Sequence, residues 1–385
     1  MRRIIILVIM AALLAWGAAV SAGQPAERTV TMNGTLLLQT GSAFTAGSTE
    51  GTAVLPEETA PVRLAAKAGG YLGQGVYLSP VIQTVPFDAL IVSWNADTPP
   101  GTAITVEAQV LVEKKWSDWF SWGVWGDKAA SADNPFSWVA RMDVDTLELK
   151  GGKKATAIRY RLKLSSHDPK TTPAVRLIAL TIKNKDRSKE ATATAVSGSF
   201  ERDLTVPPYS QARRDPKIAS RICSPTSLSM VMAYHGIQVA PETAAWGSYD
   251  TKRDLFGNWT FNAAYAARCG LTAYVAYLDS LTDLKLEIAQ GYPVVAAVWY
   301  RSSEAVAQPL PVLHGAPIDY TEGHLVVVRG FKVRGGKEYV LVNDPAGADE
   351  AGVYREYLAA EFEAAWVKVA YIIRPGPGPA APQRP

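Results

Sequence analysis

From about residue 29 to residue 183, apolar and polar positions take turns along the chain. Ile104, Val106, Ala108, Val110 and Val112 alternate with Thr105, Glu107, Gln109 and Glu113, with Leu111 interrupting the polar face; Ile158, Tyr160, Leu162 and Leu164 alternate with Arg159, Arg161 and Lys163. A period of two turns one face of a strand to a core and the other to water. Shorter runs at 36–38, 76–78, 90–94, 146–149 and 175–182 predict further strands, separated by turn signals such as Thr98-Pro99-Pro100-Gly101 and Gly151-Gly152. Many short strands with almost no helical period predict an antiparallel β-sandwich or jelly roll.

After Val206 the texture changes. Residues 225–235 carry Leu228, Met230, Val231 and Met232, with Pro225 in the first turn and Gly236 past the end, which predicts a helix. Because it is apolar on nearly every side, it is expected to be buried and central. Segments 261–268 and 281–290, stopped by Gly270 and Gly291, predict two more helices. Segments 292–300, 324–333, 339–343 and 369–373 predict strands, the middle pair joined through Gly335-Gly336. This half is therefore an α+β domain.

Between the halves, residues 184–205 are rich in Ser, Thr, Ala and charge and have no apolar period, as a linker has. The predicted organisation is a β domain at 27–184, a linker at 185–205, an α+β domain at 206–374 and a Pro/Gly-rich tail at 375–385. The length of 385 residues suits two domains, and 48% hydrophobic with 19% charged residues supports packed cores rather than disorder. Met1-Arg2-Arg3, an apolar run to Ala15 and small residues ending Val20-Ser21-Ala22 follow the order of a secretory signal. The run is too short for a bilayer span of about 20 residues, so export with cleavage after Ala22, without stable membrane insertion, is expected. Removal of that signal leaves 37 Lys+Arg against 36 Asp+Glu, a balance that argues against a nucleic-acid partner. The only cysteines, Cys223 and Cys269, supply neither a disulfide framework nor paired zinc ligands, and no metal or cofactor is expected.

Cys223 stands just before Pro225 and the buried helix. Backbone N–H groups and the dipole at a helix N-terminus stabilise a thiolate there. A cysteine hydrolase further needs a base, a group that orients it and oxyanion donors. His324 opens a strand and Asp344 follows the next one, so a hairpin would bring both to one end of the sheet. Gln211, 12 residues before the cysteine, is a candidate oxyanion donor through its side-chain N–H. His314 is the nearby substitute for the base, and His235 beside Gly236 is read as a favourable charge at a helix C-terminus. Nothing in the pattern requires Cys269 to approach Cys223, so two free thiols are expected, one reactive and one protected.

The segments Val206-Pro207-Pro208-Tyr209-Ser210-Gln211, Cys223-Ser224-Pro225-Thr226-Ser227, Gly323-His324-Leu325-Val326-Val327 and Val342-Asn343-Asp344-Pro345, in that order, resemble the papain-like cysteine peptidase family 39, specifically its secreted bacterial C39-like branch. The resemblance covers about residues 206–374. It implies a papain-like fold, Cys223 as nucleophile, His324 as general acid and base, Asp344 as the residue orienting that imidazole, and Gln211 as oxyanion donor. Phe256-Gly257-Asn258-Trp259-Thr260-Phe261-Asn262 is also similar to this branch, with no role assigned beyond shaping the cleft. Ser224 stands where leader-processing members usually carry glycine. The transporter domains of those members are missing too, so cleavage of double-glycine leaders does not carry over.

The expected function is a secreted cysteine peptidase acting on a peptide or protein substrate. A related amidase or acyltransferase would use the same nucleophile, and a secreted binding protein with a catalytically silent papain-like scaffold is the non-enzyme alternative. For that alternative the β domain offers Trp116, Trp119, Trp122, Trp125 and Trp138 with Phe120 and Phe136. Strict alternation would turn Trp119 and Trp125 to one face and Trp116, Phe120 and Trp122 to the other. An exposed face would be a platform for cell-wall glycan or peptide; a covered one would be core or interdomain contact.

Overall fold

The computed structural model describes residues 36–185 and 200–376. The segment read as a signal, most of the linker and the tail from residue 377 lie outside the described residues.

The first region holds two seven-stranded antiparallel sheets. One centres on Ala89–Asp97 paired with Ala174–Lys183, the other on Thr102–Val112 paired with Ala155–Ser166. The second pairing sets Val106 opposite Leu162 and Ala108 opposite Tyr160, so the two alternating patterns share one buried face. On the other face Glu107 pairs with Arg161 and with Lys163 at 2.8 Å. The tryptophan strand, Phe120–Gly126, departs from strict alternation: Phe120, Trp122 and Trp125 are all buried, whereas Val124 is exposed. The cause is a bulge, with Thr105 opposite Val124 but Glu107 opposite Ser121, and with Gly123 at φ +99°. One extra residue reverses the facing of everything beyond it.

The second region is one antiparallel sheet in the order Leu271–Tyr277, Trp366–Pro375, Val294–Arg301, Tyr320–Arg334, Lys337–Asn343, Tyr354–Leu358. Its helices are α1 (Cys223–Tyr234), α2 (Pro241–Gly247), α3 (Trp259–Arg268), α4 (Leu281–Ala289) and α5 (Ala359–Ala365). The three expected helices are α1, α3 and α4, and the α+β class holds. Arg202–Asp203, assigned from sequence to the linker, pairs with the Tyr320–Arg334 strand, so the second region begins there. The strand Leu271–Tyr277 carries no alternation because six of its seven residues are buried.

That burial comes from the first region. Leu271–Tyr277 pairs along one edge with Trp366–Pro375. Its other edge is met by side chains: Asn95 donates to the Ala273 carbonyl and accepts from the Ala273 N–H at 3.2 Å. Thr181 donates to the Val275 carbonyl at 2.6 Å, and Ser93 accepts from the Val275 N–H at 3.1 Å. Polar side chains thus do for an open edge what a further strand would do.

The segment 256–262 turns mainly to this junction rather than to a cleft. The Trp259 N–H donates to buried Asp145 at 2.6 Å, Thr260 donates to the Val92 carbonyl at 3.2 Å, and the Phe261 ring packs on Trp94 and Trp125. Asn258 caps α3 by accepting from the Phe261 N–H at 3.2 Å. Nearby, Asp250 accepts from the Ser131 N–H at 3.0 Å across the same junction.

Candidate active site

Helix α1 starts at Cys223 itself, with Pro225 in its first turn, where a missing N–H costs no hydrogen bond. Its N-cap, Ile222, offers no side-chain acceptor, so no side chain of the cap competes for the leading N–H groups, of which that of Ser224 acts on the Cys223 sulfur. Ser227 donates to the Leu325 carbonyl at 2.9 Å, fastening α1 beside the strand residue that follows His324. Ser224 is buried and shares a 2.8 Å hydrogen bond with the Tyr371 hydroxyl, so its side chain faces the core, not the thiol.

The sheet supplies the other groups. His324 sits opposite Val298, near the start of Tyr320–Arg334. Gly335 and Gly336, both at positive φ, close the hairpin that returns the chain with Asn343 opposite Val327, so Asp344 emerges at the His324 end. His324 Nε2 lies 2.7 Å from Asp344 Oδ1. The same oxygen accepts from the Ala346 N–H at 3.0 Å, and Oδ2 accepts from the Tyr357 hydroxyl at 3.0 Å. The Cys223 thiol neighbours the imidazole of His324, and Nδ1 is the ring nitrogen that Asp344 leaves free to face it. The buried ring of Tyr300 stands edge-on to the imidazole, with centroids 6.4 Å apart.

Electrostatics follow from that chain of contacts. Burial pushes the Cys223 thiol up, but hydrogen bonding and charge from His324, with backbone N–H groups at Leu325 and Ser224, hold it below the usual thiol range. Burial pushes His324 down, yet the charge and hydrogen bond of Asp344, then the thiol, raise it above an ordinary imidazole. Asp344 is pushed up by burial and brought below the usual carboxylate range by His324 first and its hydrogen bonds second. All three directions favour a thiolate, an imidazolium and a carboxylate in a row.

Gln211 is close in sequence logic but is held differently. Its backbone N–H donates to the Pro345 carbonyl at 2.8 Å, tying it to the Asp344 turn, and Nε2 donates to the Ala219 carbonyl at 2.9 Å. One amide N–H remains for another acceptor; no hydrogen bond joins Gln211 to Cys223 or His324 among the described residues.

The remaining sequence candidates fall outside the cluster. His314 is exposed and held by Glu361 at 2.9 Å and Glu304 at 3.1 Å, which raise it above its usual value. His235 caps the end of α1, but burial lowers its pKa, so the charge expected there is disfavoured. Cys269 caps α3 and is raised by burial; it and Cys223 are both free thiols. Sequence reasoning missed Tyr300 and Tyr357, because a buried tyrosine on a strand looks like core until its neighbours are known. It also missed a wall beside the helix entry: Phe256 packs with Ile222 and, at centroid distances of 5.1 and 4.8 Å, with half-exposed Trp246 and with Tyr249.

Residues 203–372 match the family model described as the Peptidase_C39 like family, and residues 35–182 match the model of the Peptidase C39 N-terminal domain. Among solved structures, the peptidase domain of Streptococcus ComA is 16% identical over 44% of this chain and 98% of its own, with a TM-score of 0.31. A C39-like peptidase from Bacillus anthracis is 16% identical over 46% of this chain and 98% of its own, with a TM-score of 0.32. A mite allergen structure is 13% identical over 48% and 73%, with a TM-score of 0.34. No curated protein matches the chain. Among the described residues no helix is long and apolar enough to cross a membrane.

Proposed function

Residues 203–372 belong to the C39-like peptidase family and residues 35–182 to a C39 N-terminal domain family, and from that premise we propose that the chain is a secreted cysteine peptidase that hydrolyses peptide bonds through Cys223, His324 and Asp344. The observation that carries this reading is the imidazole of His324 set between the Cys223 thiol and, at 2.7 Å, the Asp344 carboxylate, with the thiol pKa lowered and the imidazole pKa raised. Export rests on the signal-like order of residues 1–22.

In the proposed cycle the Cys223 thiolate attacks a peptide carbonyl carbon. The oxyanion that forms is received by backbone N–H at the start of α1 and by the free N–H of the Gln211 amide. His324 gives its proton to the leaving amine, whose departure leaves a thioester on Cys223. Neutral His324 then takes a proton from water, the hydroxide adds to the thioester, and collapse releases the acid and the thiolate beside a restored imidazolium. Asp344 keeps the ring oriented throughout, and Tyr357 keeps Asp344 oriented.

Two measurements test the reading. Iodoacetamide at neutral pH is expected to alkylate Cys223 far faster than Cys269, and a peptide library is expected to be cleaved by the native chain but not by Cys223→Ala. Equal, slow labelling of both thiols would favour the silent-scaffold alternative. Turnover by Cys223→Ala at the native rate would end the assignment.

A further inference from the structure

The first region contains a cavity that the catalytic reading does not use. It is an open depression of about 290 Å³ between the segment around Asp133–Met142, Lys150 and Arg253 of the second region. Phe136 lines it, and Trp138 stands beside Phe136 just outside the lining; both contrast with the buried tryptophans of this region, Trp122 and Trp125 being 1% exposed, whereas Phe136 is 73% and Trp138 83% exposed. The two rings stand nearly perpendicular, 5.0 Å between centroids, and form a notch. Large aromatic surface left in water, fixed in one arrangement, is a mark of a binding site.

The arrangement is fixed from both sides. Asn134 exchanges two hydrogen bonds with the Ser121 backbone, at 2.7 and 2.9 Å. Lys150 donates to the Ser137 carbonyl at 2.8 Å and lies over the Phe136 ring. The turn bearing Arg253 is held by Asp250, which accepts from the N–H groups of Ser131, Lys252 and Arg253.

Charge selects the ligand. Asp133 is neutralised by Lys252 at 2.7 Å, and Arg141 by Glu148 at 2.6 Å. Among the described residues no carboxylate is paired with Lys150, and Arg253 acts on Asp133 only through charge, Asp133 being hydrogen-bonded to Lys252, so positive charge is in excess around the cavity. The cavity therefore calls for an acidic group beside an aromatic or apolar one. The turn that carries Arg253 also touches the segment leading to the proposed nucleophile: Asp254 pairs with Arg221 at 2.9 Å, and Arg221 precedes Cys223 by two residues.

We propose that the notch of Phe136 and Trp138, with Lys150 and Arg253, is an exosite that holds an acidic, aromatic-bearing stretch of the polypeptide substrate at a distance from the scissile bond. The proposal rests on the peptidase reading for its substrate. The excess positive charge calls for a carboxylate-bearing ligand rather than a neutral glycan, and the contact of Asp254 with Arg221, two residues before Cys223, makes the polypeptide substrate the occupant proposed.

The test compares two fluorogenic peptides that share a cleavage sequence taken from library screening, one short and one extended by repeats of Glu-Glu-Phe on either side. In the full chain, Trp138→Ala and Arg253→Glu are expected to lower kcat/KM for the extended peptide by about tenfold, through KM, and to leave the short peptide unchanged. Identical kinetics of variants and native chain on the extended peptide would overturn the exosite. If the native chain cleaves neither peptide, the peptidase reading fails separately. Binding of the labelled extended peptide to Cys223→Ala then still decides: weaker binding in the two variants supports the site. No binding, or binding only of an anionic glycan such as polygalacturonate, overturns it.

Discussion

Asp344 and Asp145 are both almost completely removed from water, at 0% and 6% exposure, and both accept a backbone N–H, yet they titrate in opposite directions. Burial pushes both up. At Asp344 the His324 imidazolium more than offsets this and the pKa falls. At Asp145, in the junction between the two regions, the partners are the Trp259 N–H and the Thr146 hydroxyl, and the pKa is raised to about 7. Neutral donors soften desolvation, whereas a cation reverses it. One buried carboxylate is held charged by the imidazolium beside it, while the other serves as a helix-end acceptor that is at ease when protonated.

The sharpest way to break that contrast is to remove the cation. His324→Ala is expected to lower turnover by at least about 10⁴-fold, since it takes away the proton donor and the partner of the thiolate. It also leaves Asp344 buried and unpaired, at a cost of about 3–5 kcal/mol in urea unfolding above the carboxylate range. Asp344→Asn keeps the shape and is expected to lose about a hundredfold in turnover. Because Asp344 is what raises His324, the alkaline limb of the pH–rate profile should move toward neutrality in that variant; an unmoved limb would show that Asp344 does not face the imidazolium. The signs for stability follow from the same shifts. The contribution of Asp344 is present above the ordinary carboxylate value of 3.8 and is lost as pH falls through its lower folded value. That of His324 is complete below 6.5 and is lost as pH rises through its higher folded value.

Asp145 carries the opposite signature. The folded chain holds this proton to about pH 7 while the unfolded chain releases it near 3.8, so its charge weakens the fold increasingly across that window. Asp145→Asn, which retains an acceptor for Trp259, should gain on the native chain by up to roughly 4 kcal/mol between pH 4 and pH 8. Unfolding midpoints of the two proteins that run parallel across this range would remove Asp145 from the argument. The smallest effect is expected at the strand edge, where Asn95→Ala leaves the N–H and C=O of Ala273 unpaired and should cost about 1–3 kcal/mol at any pH. A loss below a few tenths would mean that water replaces the amide there.

These contacts define how the halves relate. Ser93, Asn95 and Thr181 close the edge of the second region's sheet, and Asp145 meets the first N–H of α3. The first region is thus part of the framework on which α3 and the sheet edge of the second region rest.

The local signals were already in the sequence. Alternation in the first half, the apolar α1 segment with Pro225 near its start, and the Gly335-Gly336 hairpin that brings His324 and Asp344 to one end are all short-range consequences of side-chain period and backbone freedom, and they were legible before any coordinates. So was the order of Gln211, Cys223, His324 and Asp344. Tertiary structure alone decided what meets across the chain. The bulge at Gly123 buries Trp122 and Trp125 together, against the period, because a partner strand determines which residue is extra. The strand Leu271–Tyr277 reads as featureless because it is covered on both sides, and only its cover explains it. Tyr357 becomes a support for Asp344, and Asp145 a helix acceptor, through contacts 13 and 114 residues apart in the chain. Periodicity records which way a residue faces, but a pKa, a cap or a satisfied edge depends on what stands opposite, and folding supplies that partner from elsewhere in the sequence.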